Sequence, residues 1–213
     1  MNILLVGAPG VGKGTVSEFL EKNYNLPSIS TGHIGRQEIK KKTAVGKELA
    51  DVLANGKFFS DELALSIAKV ELEHAYSGVI LDGFPRNMAQ AVVFDQYFQE
   101  TNRKLDLVLN IVNDDENIIA RLKDRRTCPS CNATYHLVNK LPHTVGICDD
   151  CQTPLIQRDD DRPEVVKERL ELYREVTLPL LSHYEKQGIV RTVSSDCSIQ
   201  EMYQSVVDSI NSL

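Results

Sequence analysis

The sequence has 213 residues, 42% hydrophobic and 25% charged, the profile of a globular chain with room for one sizeable core and a small insert. Its 24 Lys+Arg against 30 Asp+Glu leave a net charge of -6, which argues against a surface made for a nucleic-acid backbone, so any phosphate site has to be built locally. No apolar run approaches the roughly 20 residues that cross a bilayer, and the chain passes from Met1-Asn2 into a strand-like run without a basic leader, so no membrane partner and a cytoplasmic location are expected.

The first predicted strand, residues 3–6, feeds the stretch Gly7-Ala-Pro-Gly-Val-Gly-Lys-Gly-Thr15. Gly7, four residues, Gly12 and Lys13 give the spacing of a phosphate-binding loop, with Gly14 in the usual hydroxyl position and Thr15 one place late. Val16, Phe19 and Leu20 then keep helical spacing. The loop therefore opens onto a helix N-terminus, where backbone N–H groups and the helix dipole favour an anion and Lys13 adds a mobile charge. Nucleotide phosphate is the expected ligand.

Residues 32–76 carry scattered glycines among short, charge-rich helical segments, and the run Lys40-Lys41-Lys42 is expected to be a solvated helix face. A second buried-looking strand, residues 79–81, ends in Asp82-Gly-Phe-Pro-Arg86. Strand C-termini of an α/β sheet face the ligand crevice, so Asp82 is placed to hold magnesium or its waters and Arg86 a second phosphate. Further apolar runs at 28–30, 107–112 and 189–193 alternate with helical patterns, which predicts a parallel α/β sheet.

Arginines gather around residues 127–157, where periodicity breaks down: Arg121, Arg125 and Arg126 come before, Arg158, Arg162 and Arg169 after. Arg121 and Arg125 share one helix face, so a polyphosphate between the two groups would be clamped, the arrangement phosphoryl transfer asks for. Inside the segment, Cys128-Pro-Ser-Cys131 and Cys148-Asp-Asp-Cys151 are separated by 16 residues. Two such knuckles suit one tetrahedral zinc with no open position, hence a structural metal. Beyond, Pro163 opens a helix whose Val166, Leu170 and Tyr173 share a face.

These strings, together with Ser30-Thr-Gly32, residues 56–62, Gln90 and Thr177-Leu-Pro-Leu180, resemble the adenylate kinases in the long-lid form whose lid carries zinc. The resemblance covers the whole chain. It implies a P-loop parallel five-stranded sheet flanked by helices, a core of residues 1–29, 60–123 and 162–213, a nucleoside-monophosphate lobe at 30–59 and a zinc lid at 124–161. It implies transfer between Mg-ATP and AMP to give two ADP by a monomer. Gly10, Val11, Gly12, Lys13, Gly14 and Thr15 would take ATP phosphates, with Arg121 and Arg125, the lid pair Thr134 and Tyr135, and the adenine loop around Ser194, Ser195 and Cys197. Thr31, Arg36, Lys57, Phe58, Phe59, Gly83, Phe84, Pro85, Arg86 and Gln90 would hold AMP, joined by Arg158 and Arg169. Lys13, Arg86, Arg125, Arg158 and Arg169 would cancel charge on the transferring group, and Asp160 and Asp161 would close the lid.

The chain departs from the family at Thr31-Gly-His33-Ile-Gly-Arg36, where an Asp facing the magnesium hydration shell is replaced by His33 and a Leu by Gly35. The first change is expected to blunt the response to magnesium, the second to loosen adenine binding. Asn132 and Gln152 stand where the knuckles usually carry Gly, a position Asn tolerates better than Gln. Three other readings stay open: a kinase for another nucleoside monophosphate, a nucleotide-binding paralogue with little turnover, and a nucleic-acid ATPase with a zinc ribbon. Absence of Trp and 6% aromatic content speak against the last.

Overall fold

The computed structural model describes residues 1–58, 60–75 and 77–213 and, of Val45 and Glu48, the backbone alone. Five parallel strands form the main sheet: β1 (Asn2–Val6), β2 (Ser28–Ser30), β3 (Val79–Asp82), β4 (Leu107–Val112) and a last strand, Val190–Ser194. Their order is β2-β3-β1-β4 and then that last strand. The register sets Ser30 beside Asp82, Asp82 beside Leu5, and Val112 beside Ser194, so the C-terminal ends of neighbouring strands finish at one level. Each end runs into a loop that faces the same crevice.

Helices cover both faces, which is why the central strands β1, β3 and β4 read as nearly unbroken apolar runs, while the two edge strands carry more polar residues. Ile3 and Leu5 of β1 turn toward α1 (Lys13–Tyr24), α6 (Asp115–Asp124), α7 (Pro163–Leu172) and a C-terminal helix, Ile199–Asn211, burying Val16, Leu20, Ile118, Leu122, Val166, Leu170, Met202 and Val206. Leu4 and Val6 turn the other way, toward α4 (Asp61–Leu72), α5 (Met88–Glu100) and α8 (Pro179–Glu185), with Phe94, Leu180 and Tyr184 buried there. Between β2 and α4 the chain makes α2 (Thr31–Lys41) and α3 (Ala44–Ala54). Lys40, Lys41 and Lys42 are all exposed, as expected of a solvated face, and Lys40 Nζ also donates to the Ser130 carbonyl at 3.1 Å and so reaches a segment distant in sequence.

That segment is a small antiparallel lobe built on β5 (Arg125–Thr127) and β6 (Thr134–His136), and its apolar core is a small cluster of buried Cys128, Tyr135 and Cys148 with Ala133 and Leu155 packed against it. It leads through a 3-10 turn, Asp159–Asp161, into α7. The long return helix expected from Pro163 onward is interrupted: Tyr173–Thr177 widen into a π-turn, with Leu178 N donating to Tyr173 O. Pro179 has no N–H for the ordinary ladder, which accounts for the break. The last strand, β7, begins at Val190, one residue later than the apolar run suggested, and α9 follows from Ile199 under a capping box of Ser198 and Glu201.

Leu4 is fully buried at the centre of one face. Leu4→Ala is expected to cost about 2–5 kcal/mol in urea unfolding. Val92→Ala, on the exposed side of α5 at 56% exposure, should stay within about 0.5 kcal/mol. Equal costs would mean that two-sided burial is not what holds the sheet.

Candidate active site

The loop after β1 is shaped by glycine. Gly10 has φ +82, and a Cβ there would lie 2.6 Å from Leu122 Cγ, while Gly12 caps α1 in the left-handed region with no side-chain cap. The first N–H groups of α1 are thereby left to a ligand. Val11 is fully buried and anchors the loop from below, whereas Gly14 is exposed and Thr15 half-exposed. Lys13 Nζ donates to the Gly7 and Ala8 carbonyls at 2.8 and 2.9 Å. Burial pulls its pKa down to about 8; Asp82 opposes that pull, and Arg86, Arg169 and Arg125 add to it.

Beside the loop lies a pocket lined by Thr31, Gly32, Leu53, Lys57, Phe58, Ala64, Gly83, Arg86 and Gln90. Six of the twelve residues expected on the AMP side line it: Thr31, Lys57, Phe58, Gly83, Arg86 and Gln90. The Gly83 carbonyl accepts from Thr31 Oγ1 at 2.8 Å and Arg86 Nε at 2.7 Å, and the Phe58 ring lies 4.8 Å from the Arg86 guanidinium. Burial lowers the Arg86 pKa to about 10, against the opposing charge of Asp82. Phe84 and Pro85 are buried, and the Phe84 ring stacks edge-on against Phe94, so these two residues offer the pocket backbone rather than side chain. Lys57 N is engaged by Val52 O. Phe59 lies outside the described residues.

On the far side of the crevice Arg125 pairs with Asp161, Arg169 Nη1 lies 2.8 Å from Asp160 Oδ2, and Arg158 Nε donates to Thr127 Oγ1 at 2.9 Å. Burial, reinforced by Arg125 and Arg36, holds the Arg158 guanidinium well below its usual pKa. Burial alone would raise the Asp160 carboxyl, yet Arg169, Arg125, Arg158 and Arg36 keep it below the usual carboxylate range. Arg36 Nε is buried with no partner among the described residues, an open donor within this charge cluster. Gly56, with φ +66, lets the turn after α3 approach Arg169, since a Cβ there would lie 2.5 Å from Arg169 Cγ.

Arg121 sits apart, donating to Ser195 Oγ at 3.1 Å and the Ser195 carbonyl at 2.5 Å. Asn113 also reaches Ser195 Oγ, and the exposed Cys197 thiol faces the Ser194 carbonyl. The loop expected to meet adenine therefore orients an arginine by a side chain as well as by backbone. In the small lobe Thr134 is exposed, but Tyr135 is buried, its hydroxyl accepting from Asp149 N at 2.8 Å. Tyr135 can offer a nucleotide backbone, not ring.

The sulfur atoms of Cys128, Cys131, Cys148 and Cys151 all lie within 4.8 Å of one another, with Sγ pairs at 3.3, 3.4 and 3.6 Å. A tetrahedral zinc with sulfur at about 2.3 Å asks for sulfurs roughly 3.8 Å apart, so the set fits with a small expansion. Asn132 and Gln152 both take left-handed φ, 63 and 58, and donate to the Cys128 and Cys148 carbonyls, giving the two knuckles one geometry. Gln152 adopts the turn that its side chain disfavours.

Two contributors went unseen in the sequence. Asp61 Oδ1 accepts from Gln90 Nε2 at 2.7 Å and Asn87 Nδ2 at 2.8 Å, and Asn87 Oδ1 accepts from Gln90 N. In the sequence Asp61 is simply the acidic first turn of α4; its partner is 29 residues away, beyond the reach of any local pattern.

Residues 5–189 match the family model for adenylate kinase. The chain is 42% identical to an adenylate kinase of Finegoldia magna over 212 residues, covering 99% of both chains. It is 39% identical to an adenylate kinase of Caldicellulosiruptor bescii, again covering 99% of each, and 38% identical to that of Archaeoglobus fulgidus, covering 97% of this chain and 96% of the relative.

His33 is half-buried, with Nε2 2.7 Å from Gln37 Nε2, a contact that needs the ring nitrogen to accept. Burial lowers its pKa, and Arg36 and Arg158 lower it further. An NMR titration of the ring resonances, assigned by their loss in His33→Asn, is expected to show His33 neutral at pH 7 with a pKa below 6.5. A midpoint at or above that value would contradict the placement beside the arginines.

Proposed function

The chain belongs to the adenylate kinase family, enzymes that interconvert Mg-ATP plus AMP with two ADP, and we propose that its crevice divides that reaction between the loop after β1 and the pocket beside Gln90. The gathering of Lys13, Arg36, Arg86, Arg125, Arg158 and Arg169 at the strand ends carries this reading, because phosphoryl transfer asks mainly for positioning and for cancellation of charge on the transferring oxygens. On this reading the core comprises residues 1–29, 60–123 and 162–213. Residues 30–59 and 124–161 fold over it as acceptor lobe and lid.

ATP phosphates lie along residues 10–15, with Lys13 turning from the Gly7 and Ala8 carbonyls to phosphate oxygens. Arg121 and the loop from Ser194 to Cys197 face the adenosine. The magnesium ion arrives with ATP as substrate, and Asp82 and Thr15 suit its water shell. AMP enters the pocket with its phosphate toward Arg36 and Arg86 and its base toward Thr31 and Gln90. A phosphate oxygen of AMP attacks the γ-phosphorus, the bond to the β–γ bridging oxygen breaks, and ADP leaves from each side. No side chain is a nucleophile. Closing both lobes collects Arg125, Arg158 and Arg169 around the group in flight and excludes water, which would otherwise hydrolyse ATP.

Zinc on the four cysteines gives the lid a preformed interior, since the lobe buries little else. The whole crevice lies within one chain, which supports a monomer. Among the described residues no helix is long and apolar enough to cross a membrane, and a thiolate zinc site suits a reducing compartment, which supports a cytoplasmic location.

The reading is tested by ADP formation from ATP and magnesium with AMP, GMP, CMP or UMP as acceptor, beside ATP alone. Rapid ADP formation with AMP and little elsewhere is expected; preference for another acceptor, or hydrolysis without one, would overturn it. A pH profile tests the role of Lys13. With its pKa near 8 in the empty site, the cation is present below that value and lost above it. The kcat/KM for ATP is therefore expected to fall roughly tenfold per unit above pH 8, while kcat holds to higher pH because bound phosphates keep the charge on. A flat profile to pH 9.5 would remove Lys13 from the phosphate site. For the lid, one equivalent of zinc is expected by elemental analysis, with a melting temperature lowered by several degrees after chelation or in Cys148→Ser. Metal-free protein with an unchanged melt would refute the structural metal.

A further inference from the structure

Gln90 is 3% exposed and lines the acceptor pocket, so a base meets an amide whose surroundings are fixed by the protein. On one side the backbone N–H of Arg86 donates to Gln90 Oε1 at 2.7 Å. On the other, Gln90 Nε2 donates to Asp61 Oδ1 at 2.7 Å. A backbone N–H can only donate and an ionised carboxylate can only accept. These two partners therefore assign the amide by chemistry: oxygen toward Arg86, nitrogen toward Asp61. A turned-over amide would put oxygen against carboxylate and N–H against N–H.

We propose that Asp61 is a positioning residue that locks the Gln90 amide in the one orientation able to read a 6-amino purine and unable to read a 6-oxo purine. The proposal rests on the reading in which Gln90 faces the acceptor base.

Once Arg86 N and Asp61 are satisfied, the amide keeps one oxygen lone pair and one N–H. Adenine offers the complement along its edge, an N6 hydrogen for Oε1 and the N1 lone pair for Nε2. Hypoxanthine and guanine present the reverse, an O6 acceptor and an N1 hydrogen, and would need the amide turned over. In this orientation they leave a buried donor and acceptor unpaired, the kind of mismatch by which binding sites reject analogues. Asn87 completes the frame. Its Nδ2 donates to the same Asp61 oxygen at 2.8 Å and its Oδ1 accepts from Gln90 N at 2.8 Å, tying the start of α5 to the first turn of α4. Ser60, not Asp61, accepts from the helix backbone as the α4 cap. The Asp61 oxygen is thus available for the two amides.

Inosine monophosphate is the sharpest probe, because it matches AMP in size and differs at N1 and position 6. Rates with AMP and inosine monophosphate are measured for the parent, Asp61→Asn, Asp61→Ala and Glu62→Gln. Asparagine at 61 can turn either a carbonyl or an NH2 toward Gln90, which removes the Asp61 half of the orientation preference and leaves Arg86 N as the remaining constraint. The AMP to inosine monophosphate ratio of kcat/KM is expected to fall roughly tenfold or more in both Asp61 variants, through acceptor KM rather than ATP KM. Glu62→Gln removes the other first-turn acid of α4 and should keep the ratio, which separates amide locking from helix charge. An unchanged ratio in folded Asp61→Asn, the closest in shape, overturns the proposal. Gln90→Leu distinguishes the two levels: if it keeps the discrimination of the parent, Gln90 does not read the base and the acceptor assignment fails, whereas if it loses it while the Asp61 variants do not, only the lock fails.

Discussion

Crowding Lys13, Arg36, Arg86, Arg125, Arg158 and Arg169 around one crevice sets like charges against each other in partly desolvated surroundings, and the rest of the molecule is arranged around that strain. Two like charges about 6 Å apart at an effective dielectric near 20 repel by roughly 3 kcal/mol. Asp82, Asp160 and Asp161 offset part of this. The chain carries a net charge of -6, so the excess is local: cations outnumber acids where the strands end, and acids outnumber cations over the rest of the chain. On the proposed reading a bound polyphosphate supplies the missing negative charge, which would make ligand binding and closure one electrostatic event.

The parallel sheet answers the positional part of that constraint. Register brings Ser30, Asp82 and Leu5 to one level, so the loop after β1, the start of α2 and the turn ending in Arg86 converge without any long side chain having to reach. The cysteine lobe answers the other part. An arginine-bearing flap with Cys128, Tyr135 and Cys148 as its buried interior has too little apolar surface to order itself. On the zinc reading, metal–sulfur bonds supply that order and leave the lobe free to move as a unit.

Much of this was legible in the residues. Strand-loop-helix context made residues 7–15 readable, because the physics of an anion at a helix N-terminus is local. The knuckles were readable because metal ligation has fixed spacing. What stayed hidden was tertiary. Asp61 to Gln90 and Lys40 to Ser130 join residues whose neighbours in sequence say nothing of the contact. The sequence also did not say which part of Tyr135 faces outward: its ring turns into the lobe's own interior, which leaves its backbone for a ligand. The π-turn at Tyr173–Thr177 also stayed hidden, because the Leu178 N–H finds its acceptor five residues back, at the Tyr173 carbonyl, rather than four.

Small-angle scattering on the intact protein tests the electrostatic account most directly, comparing the radius of gyration without nucleotide, with ATP and AMP together in the absence of magnesium, and without nucleotide in high salt. The account predicts contraction with both nucleotides, and partial contraction of the empty protein as salt screens the crowded cations. A radius that responds to neither would contradict the claim that unbalanced positive charge governs closure.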